Sequence, residues 1–187
     1  MSAPKIFYSP TEIATTSVHY GDVRNNLSGK GKNVPITYRD APSSEGVRLV
    51  LQTPKMPAPF GLDTFVPDEP GAAPKYSITA SFKGMEQNPK MQAFHDLLQA
   101  IDKRNVDEAF EHQSEWFGGA PKTREIIEDR YHNLVKPATN EKYSANVRLK
   151  MTQKNNTFEA RVFDENSNEV GTDYITPHSH TVCLLEL

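Results

Sequence analysis

A chain of 187 residues with 21 basic and 24 acidic side chains carries a formal charge of −3, which excludes coating of duplex nucleic acid by bulk positive charge. The length fits one domain with a small extension and is enough for a core without staples. A hydrophobic fraction of 36% with 14 prolines and 10 glycines excludes a plain helical bundle. The lone cysteine, Cys183, cannot close an internal disulfide, which predicts a reducing, intracellular setting. Residues 1–5 have no apolar signal core and no apolar run approaches a membrane span, so neither secretion nor a membrane partner is expected, and the sequons at Asn26 and Asn155 are discounted.

Residues 1–33 are polar and irregular and read as an N-terminal extension; residues 34–187 read as the domain. A short strand is predicted at 34–39, a turn-rich gap at 40–46, and a strand at 46–53 with Val47, Leu49 and Leu51 on one face. Pro54, Pro57 and Pro59 are expected to stop pairing, because proline has no backbone donor. Residues 76–82 alternate, with Tyr76, Ile78, Ala80 and Phe82 sharing a face. The period then changes. Asn88 caps a helix with Pro89 at its first position, and Met91, Phe94, Leu97, Leu98 and Ile101 follow at helical spacing. Val106, Phe110 and Phe117 mark a second helix ending at Gly118-Gly119. Pro121 opens a third, with Ile126, Ile127, Tyr131 and Leu134 on one side, which Pro137 ends. The helical insert therefore spans about 88–136. Strands return at 145–152, at 157–163 after a tight turn on Asn155-Asn156, at 170–175 and at 181–187.

Strands, a helical insert and more strands describe a mainly β chain of the α+β class. A five-stranded Greek-key barrel with a helix in mid-chain is the OB-fold. A fold alone does not name a function; the charge pattern carries that argument. Residues 130–154 hold Arg130, Lys136, Lys142, Arg148, Lys150 and Lys154 against one acid, Glu141, with Tyr131 and Tyr143 among them. On the strand 145–152, inward Val147, Leu149 and Met151 force Arg148 and Lys150 outward, about 7 Å apart. Lys142 and Lys154 extend that line and Tyr143 offers a ring beside it. Cations for phosphates with flat rings for bases are what a single-stranded nucleic acid requires. A basic but merely solvated strand face would look the same. Lys83 and Lys55 are weaker candidates.

Four stretches in order carry a family resemblance. They are Leu51-Gln52-Thr53-Pro54-Lys55-Met56 through Pro59-Phe60-Gly61, then residues 76–82, then Phe94 through Asp102 on to Ser114-Glu115-Trp116-Phe117, and finally residues 143–150. Over roughly residues 46–165 the chain resembles a single-stranded-DNA-binding protein family of large double-stranded DNA viruses of eukaryotes, related to the OB-fold proteins of short-tailed phages. The resemblance implies a protein that coats single-stranded DNA during viral replication and recombination, in the host nucleus or a cytoplasmic viral factory. Its implied partners are the DNA strand, the replicative polymerase or helicase, and a second copy of the chain. The phage relatives end in an acidic tail that contacts partners; residues 181–187 read instead as a strand, so either the chain is a fragment or the tail mechanism, and tail-mediated dimerisation with it, does not apply.

No Gly-rich phosphate loop, nucleophile elbow or HExxH motif is present; Gly29-Lys30-Gly31-Lys32 lacks the spacing of a phosphate loop. On a strand, His178 and His180 would share a face with Cys183 on the other, and a fourth ligand is missing, so no metal is expected. No cofactor and no enzyme activity are expected. A virion or other structural module with a β-sandwich, and an RNA-binding protein, are the competing expectations.

Overall fold

The computed structural model describes residues 7–26, 31–39, 45–69, 71–140 and 142–187. Most of the expected turn at 40–46, Gly29-Lys30 and Glu141 lie outside the described residues. The strands before the helices are β1 (Val18–Tyr20), β2 (Arg24–Asn25), β3 (Lys32–Asn33), β4 (Ile36–Tyr38), β5 (Val50–Gln52), β6 (Met56–Ala58), β7 (Leu62–Phe65) and β8 (Lys75–Ser81). Then come α1 (Pro89–Glu111), α2 (Gln113–Trp116) and α3 (Arg124–Arg130). The chain closes with β9 (Val135–Lys136), β10 (Asn146–Met151), β11 (Gln153–Lys154), β12 (Thr157–Phe158), β13 (Val162–Phe163), β14 (Glu169–Val170), β15 (Ser179–Thr181) and β16 (Leu184–Glu186). The protein is thus a mixed α and β chain of small antiparallel sheets with its helices in the middle. The largest sheet, in the order β7-β8-β10-β9, is open; among the described residues no strand pairing closes a barrel.

The chain divides into two compact units. One holds the described residues up to Thr53, Gln92–Leu134 and Cys183–Leu187; the other holds Pro54–Met91 and Val135–Val182. The sequence partition at residue 33 and this division differ, because residues 7–26 supply core: Tyr8 and Val18 are buried, β1 pairs with β4, and the Tyr8 ring meets Tyr38 edge-on at 4.8 Å. In the same unit Leu49 and Leu51 are fully buried, β16 pairs with β5, and Phe94, Leu97, Leu98 and Ile101 form the buried stripe of α1. Each fully buried aliphatic side chain contributes about 1.5–3 kcal/mol. Val47, expected inward, is exposed.

Asn88 caps α1 as expected, its Oδ1 accepting the Met91 N–H at 3.2 Å. The two expected helices at 91–101 and 106–117 are largely one, since nothing between Asp102 and Val106 breaks the backbone. The third helix stops early. The buried Asp102 carboxylate accepts the Leu134 N–H with both oxygens at 3.0 Å, taking a donor that a longer helix would use and turning residues 135–136 into strand β9. Asp102 also accepts from the Tyr131 hydroxyl at 2.8 Å. That hydroxyl accepts from Asn105, whose side-chain oxygen takes the Tyr20 hydroxyl at 2.6 Å.

In the second unit the inner face of the four-stranded sheet is Ile78, Ala80, Val135, Val147 and Leu149, all buried, with Phe82 beyond the end of β8. Three expectations are corrected. β6 pairs with β15 through Pro57, which sits opposite His180; in a two-stranded ribbon a missing donor can face away from the partner. The segment 157–163 is not the long partner of β10. Asn155 and Asn156, both at positive φ, make the expected tight turn, but only Thr157 and Phe158 pair back, with β11, and β10 takes β8 as its partner. Residues 172–174 form a turn of 3-10 helix rather than the end of a strand.

Candidate nucleic-acid interface

The site follows from the pairing of β10 with β8. Arg148 lies opposite Thr79 and Lys150 opposite Ser77, while their neighbours Val147 and Leu149 are buried on the other side. Alternation therefore points Arg148 and Lys150 to the outer face, as the sequence predicts. Register adds cations that sequence spacing could not place. Lys75 shares a face with Ser77, one two-residue step along β8, and Lys136 on β9 lies opposite Asn146. With strand spacing of about 4.8 Å and a two-residue step of about 7 Å, the order Lys75, Lys150, Arg148, Lys136 runs diagonally across three strands at intervals of roughly 7–8 Å. Among the described residues Lys75, Lys136 and Lys150 have no acidic partner.

Arg148 is different. Its Nε donates to Ser77 Oγ at 2.8 Å and its Nη2 lies 3.3 Å from Asp63 Oδ2. Asp63 stands on the same face, opposite Ser77 from β7. The pair is not buried: the side chains are 43% and 50% exposed, so the ion pair is weak. Two residues along β7, Phe65 faces Lys75 with about half of its surface in solvent.

The remaining candidates are scattered. Lys154 is exposed at the β11–β12 turn, in a separate two-stranded sheet. Lys142 lies with its Nζ 5.9 Å from the centre of the exposed Tyr143 ring, in the loop before β10. Lys83 is exposed just beyond β8, near the Lys136 end of the sheet. Lys55 is exposed ahead of β6, outside the four-stranded sheet. The nearby Arg161 is committed elsewhere: its Nε and Nη2 donate to the two Glu169 oxygens at 3.0 and 2.5 Å, holding that carboxyl below the usual range. Lys75 had one legible sign, the strict alternation of 75–81; Phe65 and Asp63 had none, because only the β7–β8 register brings them to the face.

His178 sits at positive φ, and β15 spans Ser179–Thr181, so His178, His180 and Cys183 do not lie on one strand. Among the described residues one cluster, Glu108, Glu111 and His112, brings potential ligand atoms within 4.8 Å of one another; Glu108 already pairs with Arg104. Open pockets of about 230 and 260 Å³ lie in the helix-bearing unit, one beside Asp102 and Arg124 and one beside Tyr20 and Trp116. No helix of the described residues is long and apolar enough to cross a membrane. Set against family models, curated proteins and solved structures, the chain matches none of them.

Proposed function

We propose that this protein binds single-stranded DNA with little sequence preference, without catalysing a reaction, by laying the strand across the outer face of the β7-β8-β10-β9 sheet. The observation that carries the reading is the diagonal of Lys75, Lys150, Arg148 and Lys136, four cations at near-regular spacing on a face where, among the described strand residues, the one acid is Asp63. An extended polynucleotide presents phosphates at a comparable repeat, and its bases remain free to stack. Local charge of this kind is compatible with a net charge of −3 because only the few phosphates on the face need neutralising. The finer architecture we propose is OB-like, supported by the helices lying between β8 and β9. Service in viral DNA replication and recombination, beside a polymerase or helicase, rests on the sequence resemblance.

Fluorescence anisotropy with labelled oligo-dT, duplex DNA and RNA of equal length, across a salt series, tests the proposal. Oligo-dT is expected to bind more tightly than duplex, with log K falling by about 0.7 per phosphate contact per decade of salt. Arg148→Ala with Lys150→Ala should weaken binding and flatten that slope by about 1.4. Equal binding by the double variant at moderate salt would remove the face from consideration. A stronger response to RNA would favour the ribose hydroxyl as a contact.

A further inference from the structure

We infer that Phe65 is the ring on which a base stacks when a single strand crosses this face; the inference rests on the binding proposed above. The exposed aromatic side chains of the second unit are Phe60, Phe65, Tyr143, Phe163 and Tyr174. The Phe163 ring has the Arg161 guanidinium 5.0 Å from its centre, and Lys142 lies 5.9 Å from the centre of Tyr143. The Tyr174 hydroxyl donates to Glu165. Phe60 lies in the turn before β7 and is not one of the paired residues of the sheet. Phe65 alone combines a place on the cationic face with a ring that has no aromatic or cationic partner among the described residues.

Its neighbours on that face are polar: Lys75 directly opposite, Asp63 two residues before it, and Ser77 on the diagonal. None of these three neighbours is an apolar residue. Cross-strand geometry sets its Cβ about 5 Å from that of Lys75 and roughly 12 Å from Lys150, two strands and one step away. A base resting on Phe65 would therefore have one adjoining phosphate within reach of Lys75 and the next directed toward Lys150. The ring meets the π-face common to every base, which gives binding without sequence preference.

The test uses the full chain with labelled oligo-dT and an abasic oligonucleotide of the same length, which keeps the phosphates and lacks the bases. Phe65→Ala is expected to weaken oligo-dT binding roughly 5- to 160-fold with an unchanged salt slope, and to leave abasic binding as in the wild type. Phe65→Trp should restore affinity and show indole quenching on addition of oligo-dT. Phe163→Ala, which removes a ring already covered by Arg161 on the separate β13–β14 ribbon, should bind as the wild type does. If the wild type binds oligo-dT and Phe65→Ala binds it equally, or loses oligo-dT and the abasic strand alike, the stacking assignment falls while the cationic face stands. If the wild type binds neither oligonucleotide, the binding proposal itself fails and the assignment fails with it.

Discussion

Asp63→Asn should make this protein bind single-stranded DNA more tightly. In the free protein the Asp63 carboxylate lies 3.3 Å from the Arg148 guanidinium, where a phosphate oxygen would sit. A strand that uses Arg148 must displace it. An ion pair between half-exposed side chains is worth about 0.2–1 kcal/mol, so removing the competitor should raise affinity by roughly 1.4- to 5-fold. Asp63, once released, also holds a counterion that the variant does not take up, so the variant's salt slope should be steeper by up to about 0.7. Asparagine keeps the shape and can still accept from Arg148, so stability should change by less than about 1 kcal/mol. The assay is anisotropy with oligo-dT at several salt concentrations, beside a thermal melt. Equal or weaker binding by a variant that melts normally would show that Arg148 is not a phosphate contact.

Gly61→Ala should destabilise the protein by at least about 2 kcal/mol in urea unfolding. Gly61 has φ +65° and an added Cβ would stand 2.6 Å from the Ile175 carbonyl oxygen and the Thr176 carbonyl carbon, so left-handed strain and backbone overlap act together. A loss under about 0.5 kcal/mol would mean that residues 175–177 do not lie against this turn. Tyr131→Phe removes a hydroxyl that donates to buried Asp102 and accepts from Asn105, both at 2.8 Å; a loss of about 1–3 kcal/mol is expected, and an unchanged melting temperature would refute the network. Stability should also fall in alkali. Burial pushes the Tyr20 hydroxyl up to about 12 and raises that of Tyr131 as well, whereas tyrosines of an unfolded chain ionise near pH 10. Between about pH 10 and 12 the unfolded chain releases protons that the folded one keeps, so the stability present below pH 10 is lost as pH rises. Urea midpoints at pH 8 and 11 check this, and Tyr20→Phe should reduce the difference.

What residues 145–152 said by themselves was which way each side chain faces, because an alternating strand can bury Val147 and Leu149 only by turning Arg148 and Lys150 outward. The start of α1, the Asn155-Asn156 turn and the buried stripe from Phe94 to Ile101 were legible for the same reason: caps, turns and amphipathic periods act over a few neighbouring residues. Pairing partners were not legible. The choice of β8 over residues 157–163 as the neighbour of β10 depends on contacts some seventy residues apart in the chain, and alternation is identical in any register that keeps its parity. Only that choice assembles Lys75, Phe65 and Lys136 with Arg148 and Lys150, and sets Asp63 against Arg148. The early stop of α3 is of the same kind, since a buried carboxylate on α1 takes the Leu134 donor that the local sequence would have kept in a helix. Periodicity is a property of neighbours along the chain, whereas register and ion pairing belong to residues that folding brings together.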